Sequence, residues 1–379
     1  MKFIVSSSEL YTYLQLLNKV IPSRSIVQII ENFLFEVQNN RLKITATDLE
    51  STLIANFELS NVEGEGTFAI DAKRLLDIIK EFSEQPLTFE LNQETSSVLI
   101  RTETGKYSMP VFTDVEQYPQ PTPIDTTQAN NFVIEPYVLH KAISSTIFAV
   151  AEDELRPIMN GIFFEMTPEH TTFVASDSHK LIRYRRKDVV ADNNCSFVLP
   201  TRPAELLKNI LPKAMDIVRV EFNEKNAKFS TTNYTLICRL IEGKYPDYER
   251  VIPTNNDKEA QIDRQLFLNS IRRVSLFSNL ANKLVQFHFS NSQVEISAQD
   301  IDFSISATEN IPCLFSEEAF SIAYKSTFLS DVLSNINSKD VTISFLTKKS
   351  PTLISPSTKD DENEDIINLV MPMTLDDEE

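Results

Sequence analysis

The sequence has few of the residues from which common nucleotide and metal sites are built. It holds only five glycines, at positions 64, 66, 105, 161 and 243, and neither G-x-G-x-x-G nor a P-loop can be written with them. The three cysteines, Cys195, Cys238 and Cys313, lie far apart and form no C-x-x-C pair. We therefore expect buried structural thiols, with no disulfide framework, no metal and no cofactor.

Long apolar runs and positive charge are also scarce. No run approaches the ~18 apolar residues of a membrane span, and the N-terminus turns polar after one short apolar stretch, unlike a signal peptide. We expect a soluble, cytoplasmic protein with no membrane partner. Lys and Arg number 36 against 54 Asp and Glu, a formal net charge of −18. Because proteins that grip phosphates usually carry a dense basic patch, a role on DNA would have to rest on few local cations or on topology.

The chain contains an internal repeat. Phe68, Phe197 and Phe320 each begin a short strand pattern that leads into an amphipathic helix pattern, and they are 129 and 123 positions apart. Asp48, Asp177 and Asp300 end a second strand pattern at the same two spacings. Three homologous units of about 120–130 residues follow. Since the aspartates recur at one register of the repeat, a turn role is favoured over acid–base catalysis.

Each unit also looks double. Phe3, Leu10 and Leu14 recur as Phe68, Leu75 and Ile79, all shifted by 65 positions, so a strand and a helix appear twice per unit. Short alternating runs between the helices read as strands with one buried face. The predicted fold class is α+β, with helices on one face of antiparallel sheets.

Polar, proline-bearing segments at 118–126 and 252–257 suit interdomain linkers. The predicted domains are 1–121, 131–253 and 259–375, followed by an acidic tail at 376–379. Helix N-caps are predicted near Ser7 or Ser8, at Asp71 and at Thr201. The acidic segment 355–365 is predicted to be a mobile loop.

Cations occur on or beside the predicted helices. An acidic molecule can still present one basic surface, although helices also carry solvated cations with no common purpose. The helix cations are Lys19, Lys73, Arg74, Lys80, Lys141, Arg202, Lys208, Arg264, Arg272, Arg273 and Lys325.

Five ordered motifs resemble one family. They are Met1-Lys2-Phe3, NGIFFE at 160–165, ASDSHKL at 175–181, GKYPDYERVIP at 243–253 and VMPMTL at 370–375. They are similar to segments of the bacterial DNA polymerase III beta subunit family, the beta sliding clamps. The family patterns include T-D-G-H-R-L, G-[RK]-[FY]-P-D-Y-x-R and V-M-P-M-R-L. The resemblance covers the whole chain, and the family requires the triplication described above.

The resemblance implies three clamp domains per chain, each made of two strand–helix–strands halves. Two chains would close into a homodimeric ring whose helices line a channel, with antiparallel sheets outside. The implied function is that of a DNA sliding clamp, a processivity factor of the replicative DNA polymerase and not an enzyme. It would encircle duplex DNA without sequence preference and tether the polymerase, the clamp loader and repair proteins through short linear peptides. Enclosure would let each phosphate contact stay weak.

The resemblance also implies three sets of site residues. DNA-binding residues would be Arg24, Lys73, Arg74, Lys80, Lys141, Arg156, Arg202, Lys208, Arg264 and Arg272. The peptide pocket would comprise Met159, Ser176, His179, Leu181, Pro246, Arg250, Val251, Thr352, Val370, Met371, Pro372, Met373 and Leu375. The dimer interface would bring Lys106, Tyr107 and Met109 against Leu276 and Phe277 of the partner. Departures from the family pattern are Asp153, Pro157, Ile158, Ser178 and Lys180.

Two other classes of function remain open from the sequence. A repeat enzyme with a site between domains would need convergent titratable groups, whereas the four histidines are scattered at 140, 170, 179 and 288. The run Ser176-Asp177-Ser178-His179 lacks a G-x-S-x-G elbow, so catalysis there is disfavoured. An interaction scaffold unrelated to DNA would be a monomer whose helix cations share no face.

Overall fold

The first third of the chain alternates short strands with two helices. The computed structural model describes residues 1–124, 129–358 and 361–373. The first helix is capped by Ser6, one residue before the predicted position, because its hydroxyl accepts the N–H of Glu9 at 3.2 Å. The second is capped by Asp71 as predicted, with its carboxylate 2.7 Å from the N–H of Arg74. The elements are β1 (Lys2–Ser6), α1 (Ser7–Leu17), β2 (Asn32–Gln38), β3 (Arg41–Thr47), β4 (Ser51–Glu58), β5 (Asn61–Glu63), β6 (Gly66–Asp71), α2 (Ala72–Lys80), β7 (Pro86–Asn92), β8 (Ser97–Arg101) and β9 (Lys106–Phe112).

The middle third repeats the pattern. Thr201, predicted as an N-cap, is instead the first residue of its helix, and its hydroxyl donates to the carbonyl of Asn160 at 3.0 Å. The elements are β10 (Asn130–Ile134), α3 (Pro136–Thr146), β11 (Gly161–Met166), β12 (Thr171–Ser176), β13 (Lys180–Arg186), β14 (Cys195–Pro200), α4 (Thr201–Ile210), β15 (Val218–Phe222), β16 (Asn226–Ser230) and β17 (Tyr234–Arg239).

The last third again places a helix directly after a strand twice. Asp263 caps the first of these helices by accepting the N–H of Leu266 at 2.7 Å. The elements are β18 (Lys258–Asp263), α5 (Arg264–Val274), β19 (Leu284–Ser290), β20 (Gln293–Asp300), β21 (Ile305–Pro312), β22 (Leu314–Phe315), β23 (Phe320–Lys325), α6 (Ser326–Asn335), β24 (Asp340–Phe345), β25 (Thr352–Pro356) and β26 (Glu364–Val370).

The strands form three antiparallel sheets in two compact units. One unit, residues 1–140 with 202–240, contains a 13-stranded sheet in the order β10-β15-β16-β17-β4-β3-β2-β6-β9-β8-β7-β1-β5. The other, residues 141–201 with 241–379, contains a nine-stranded sheet, β14-β11-β12-β13-β26-β25-β24-β18-β22, and a four-stranded sheet, β21-β20-β19-β23. The middle third of the sequence therefore contributes strands to both units.

The periodic apolar residues of the repeat form the cores. Phe3, Leu10, Leu14, Phe68 and Leu75 have no solvent-exposed surface. Full burial of side chains of this size contributes about 1.5–3 kcal/mol each. The doubled strand–helix pattern read from the sequence is thus confirmed, because its apolar positions are the ones that cover the sheets. Within the described ranges, no helix combines the length and apolar character that a membrane crossing requires.

The segment 355–365, predicted to be a mobile loop, is largely built into the second unit. Its first residues lie in β25 and its last two begin β26, while Lys359 and Asp360 fall outside the described residues. The prediction failed because the acids of this segment neutralise arginines of β13. Arg183 donates to Asp365 at 2.5 Å and Arg186 donates to Asp361 at 2.5 Å.

Candidate functional site

The turn between β12 and β13 carries the Ser-Asp-Ser-His run. The carboxylate of Asp177 accepts the N–H groups of His179 and Lys180 at 2.9 and 2.8 Å, and it also pairs with the Lys180 ammonium at 2.9 Å. The Ser176 hydroxyl donates to the carbonyl of Lys180 at 3.0 Å. Ser178 has a φ of +75°, which explains why the family motif has glycine there. These contacts fix the backbone of the turn and occupy the aspartate.

The end of β26 lies against this turn. The N–H of Met371 donates to the carbonyl of His179 at 2.8 Å, and the N–H of Met373 donates to the carbonyl of Ala323 at 2.8 Å. Val370 is fully buried and Pro372 is half-buried. The segment 371–373 is therefore held at both ends by backbone hydrogen bonds. Leu375 and the tail 376–379 lie outside the described residues.

An apolar cluster lies beneath this segment. Met371 and Ile158 pack against buried residues that include Leu181, Tyr245 and Tyr248. Burial raises the pKa of both tyrosines, so their hydroxyls stay protonated. The Tyr248 hydroxyl donates to the Glu165 carboxylate at 2.5 Å. The cluster comprises Val174, Leu181, Val198, Tyr245, Tyr248 and Leu369, with Ile158, Phe163, Ile241, Ile252, Leu353 and Met371 packed on it.

Around the cluster, the other predicted pocket residues differ in exposure. Met159 is buried, and Thr352 is buried with its hydroxyl 2.6 Å from that of Tyr324. Val251 is half exposed, and the side chain of Arg250, which pairs with Asp247 at 2.7 Å, is 83% exposed. Pro246 is exposed beside them. Buried apolar residues with a polar, exposed rim suit an extended peptide with apolar anchors.

Phe328 is a residue of this region that the sequence reasoning missed. The ring of His179 stacks on it with centroids 5.1 Å apart, and the ammonium groups of Lys180 and Lys325 lie 5.2 and 5.1 Å from its centroid. Nothing in the sequence distinguished Phe328 from the core positions of the predicted helix. The stacking occupies one face of the imidazole, which is a packing role for His179.

The predicted DNA-binding cations fall into two groups. Five are exposed, and the described residues offer them no ion-pair partner: Arg24, Lys73, Arg74, Lys80 and Lys208. The other five are engaged within the protein. Lys141 pairs with Glu364 at 2.5 Å, and the Arg156 side chain pairs with Asp153 at 2.9 Å and donates to Ser178 at 2.7 Å.

The remaining engaged cations bind mostly backbone. Arg202 pairs with Asp48 at 3.2 Å and donates to the carbonyl of Val20 at 2.9 Å. Arg264 donates to the carbonyls of Ser338 and Leu333, both at 2.9 Å, and Arg272 donates to Ser334 at 3.0 Å. A cation that already has a partner adds less to the field outside the protein.

The predicted dimer residues lie on one open strand edge and on one exposed helical turn. Along 106–110, β9 pairs with β8 on one side, and in the described part of the chain its other side has no strand. Lys106 is exposed there, while Tyr107 and Met109 are half-buried. Leu276 is 76% and Phe277 39% exposed, in a single helical turn that follows α5.

Three family models match consecutive parts of the chain. They describe the N-terminal, central and C-terminal domains of the DNA polymerase III beta subunit, and they match residues 1–122, 133–247 and 249–374. The chain belongs to the DNA polymerase III beta subunit family. The resemblance read from the five motifs is thereby confirmed.

The beta sliding clamps of two bacteria illustrate the relation to this family. The Haemophilus influenzae protein is 27% identical over 99% of this chain and 100% of its own length, and the Escherichia coli K12 protein is 24% identical over the same shares. The solved clamp of Pseudomonas aeruginosa bound to griselimycin superposes with a TM-score of 0.92 at 24% identity, covering 99% of this chain and 100% of that one. The fold is therefore the three-domain sliding clamp fold, and this member of the DNA polymerase III beta subunit family is a sliding clamp.

Proposed function

We propose that two copies of this clamp close head to tail into a ring that encircles duplex DNA and tethers the replicative polymerase, the clamp loader and repair proteins in the cytoplasm. The three clamp domains would be 1–121, 131–253 and 259–375, with 376–379 as an acidic tail. The observation that carries the proposal is that models of one clamp family match nearly the whole length of a triplicated chain. The protein would perform no chemistry, because holding DNA and partners needs only closure and docking.

The charge distribution supports binding by enclosure. The net charge is −18, and half of the proposed DNA-binding cations already have partners inside the protein. A contact with one phosphate releases about one counterion, so a handful of exposed cations gives weak, salt-sensitive binding. Weak contacts suit a protein that must slide. Arg24, Lys73, Arg74, Lys80 and Lys208 would supply most of the DNA contact, and Lys141, Arg156, Arg202, Arg264 and Arg272 less.

The apolar surface at Met371 would receive the partner peptides. Its flexible methionines, the Leu181 and Tyr245 cluster beneath them and the exposed rim at Arg250 support a short peptide with leucine or phenylalanine anchors. The remaining pocket residues proposed are Met159, Ser176, His179, Pro246, Val251, Thr352, Val370, Pro372, Met373 and Leu375.

Retention on circular DNA tests the ring. The protein would be loaded onto a nicked circle with a clamp loader and ATP, then passed through a sizing column before and after the circle is cut. We expect it to stay with the intact circle and to be lost after linearisation. Equal retention on both forms would indicate ordinary surface binding and would overturn the proposal.

A peptide-binding assay tests the pocket. We expect Met371→Ala to weaken binding of a fluorescent peptide with leucine and phenylalanine anchors at least tenfold. Met215→Ala is the matched control, because Met215 is fully exposed in the other unit. Unchanged affinity in Met371→Ala, with an unchanged melting temperature, would place the peptide elsewhere.

A further inference from the structure

The turn between β3 and β4 repeats the geometry of the turn at the proposed peptide pocket. The carboxylate of Asp48 accepts the N–H groups of Glu50 and Ser51 at 3.0 and 2.6 Å, as Asp177 does for its own turn. The Thr47 hydroxyl donates to the carbonyl of Ser51 at 3.1 Å, as the Ser176 hydroxyl does to that of Lys180. Positions 47–52 thus correspond to positions 176–181.

The strand beside each turn also corresponds. β17 pairs with β4 so that Cys238 faces Ser51, and β26 pairs with β13 so that Val370 faces Lys180. The next residue then bonds the turn in both units: the N–H of Arg239 donates to the carbonyl of Glu50 at 2.9 Å. Arg239 therefore holds the place of Met371, the central residue of the proposed pocket.

A groove lies at this second turn, within the unit of residues 1–140 and 202–240. Its volume is about 290 Å³, and its walls include Leu49, Pro121 and Ile237, with Glu50, Lys225 and Arg239 at the rim. Arg239 and Glu50 approach to 3.4 Å with side chains that are 60% and 65% exposed. An exposed ion pair of this kind is weak and is easily exchanged for another partner. The rim then offers two cations and one acid.

Leu49 is an unusual residue for this place. Its φ is +80°, in the left-handed region that disfavours a branched side chain, and it is 53% exposed. Glycine would adopt this φ without strain and would expose no apolar side chain, so the turn alone does not call for leucine here. Strain kept at an exposed apolar residue beside a groove points to a binding role.

We propose that this groove is a second docking site, which takes an extended peptide segment of a partner protein with an aliphatic anchor and flanking acidic residues. The anchor would pack on Leu49 and Ile237, and the acids would pair with Lys225 and Arg239. The inference rests on the proposed function of the Met371 pocket, because the repeat is what relates the two sites. Where the first site offers methionines, the second offers cations, so it selects a different peptide.

A titration with two fluorescent decapeptides tests the proposal. Both carry glutamine and a leucine–phenylalanine pair; one also carries two aspartates, and its twin carries asparagines in their place. We expect two binding events per chain for the acidic peptide and one for its twin. Leu49→Gly should remove the second event, weakening it at least tenfold, while raising the melting temperature. A change that stabilises the fold yet abolishes binding cannot be explained by misfolding.

The matched variants separate the two sites. Met371→Ala should weaken only the event common to both peptides, and Lys225→Gln with Arg239→Gln only the acid-dependent event. In wild-type protein, hydrogen exchange with the acidic peptide bound should show added protection at 49–52 and 237–239. A single event per chain, or a second event that survives Leu49→Gly, would overturn the second site. Loss of no event in Met371→Ala would instead count against the proposed function.

Discussion

At the scale of single residues, three aspartates at equivalent positions of the repeat have the same structural role. Asp48, Asp177 and Asp300 each accept two backbone N–H groups of the turn that follows a strand. Their recurrence at one register of the repeat predicted a turn role over an acid–base role, and the contacts confirm it. Such side chains replace the backbone partners that a turn leaves unsatisfied.

Asp300 offers the cleanest test of this role, because it is 2% exposed and its carboxylate binds the N–H groups of Asp302 and Phe303 at 3.0 and 3.3 Å. We expect Asp300→Ala to lower the free energy of unfolding by about 1–3 kcal/mol, since two backbone N–H groups of the turn lose a charged acceptor. Urea denaturation measures this. Asp300→Asn, which keeps an acceptor oxygen, should retain most of the stability, and equal losses in the two variants would contradict the turn role.

Other features of single residues could be predicted from the sequence only in part. The cysteines were predicted to be buried thiols, and Cys238 and Cys313 are, whereas Cys195 is half-buried. Burial raises the pKa of Cys238 to about 12, which keeps this thiol protonated and unreactive. The positive φ angles of Leu49 and Ser178 could not be predicted from residue type, because neither residue favours that region.

At the scale of elements, helix α5 is fastened to the edge strand β21. The guanidinium of Arg273 donates to both carboxylate oxygens of Glu309 at 2.8 and 2.6 Å, and Ser270 donates to the same group at 2.6 Å. The Arg273 hydrogen bonds, with that of Ser270, lower the pKa of Glu309 to about 2 from an ordinary value of 4.5.

This shift predicts how the contact depends on pH. A carboxyl whose folded pKa is depressed stabilises the fold fully above pH 4.5, and it loses that contribution as the pH falls from 4.5 through about 2. We expect Glu309→Gln to lower the melting temperature at pH 7 and to match the wild type near pH 2. Glu318→Gln, at an exposed position, should change little at either pH. A Glu309→Gln deficit that persists undiminished at pH 2 would exclude the charged contact as its cause.

The pairing of β13 with β26 depends on buried arginines. Arg186 is 5% exposed and donates to Asp188 and Asp361 at 2.6 and 2.5 Å. We expect Arg186→Met to cost about 2 kcal/mol of unfolding free energy, the size of hydrogen bonds to charged groups at a buried site.

Arg41 provides the comparison, because it and Glu58 form an ion pair whose side chains are 69% and 80% exposed. Arg41→Met should cost less than about 1 kcal/mol. Denaturation of both variants, with Asp361→Asn and the double variant, measures the coupling. Additive effects of Arg186→Met and Asp361→Asn would show that the 361–365 segment does not rely on this arginine.

At the scale of the whole molecule, the threefold repeat could be predicted from the sequence. The distribution of the middle repeat's strands between two sheets could not. The three units could be predicted from the recurrence of Phe68, Phe197 and Phe320, because each unit needs the same apolar residues in its core. The sequence holds no signal that β17 pairs with β4, or that β26 pairs with β13. Those contacts join residues about 180 positions apart in the sequence and depend on the shape of complete sheets.

Dimer formation is the prediction that belongs to the whole molecule. We expect Leu276→Lys to convert the proposed dimer into a folded monomer, because a charge would replace a 76% exposed leucine at the proposed interface. Sedimentation velocity gives the readout. Leu155→Lys is the control, since Leu155 is 92% exposed outside that surface. A wild-type monomer, or a dimer that survives Leu276→Lys, would reject this interface.

The strands of the middle third of the chain belong to two different sheets, and this affects how fragments of the protein should behave when they are expressed alone. A fragment ending at residue 253 would keep β13 but lose β26, and it would present a long bare strand to any neighbour. Such edges recruit other chains and promote aggregation. Expression of one repeat at a time, guided by the sequence periodicity, should therefore yield inclusion bodies. The reason is that the boundary between the two compact units runs through the middle repeat.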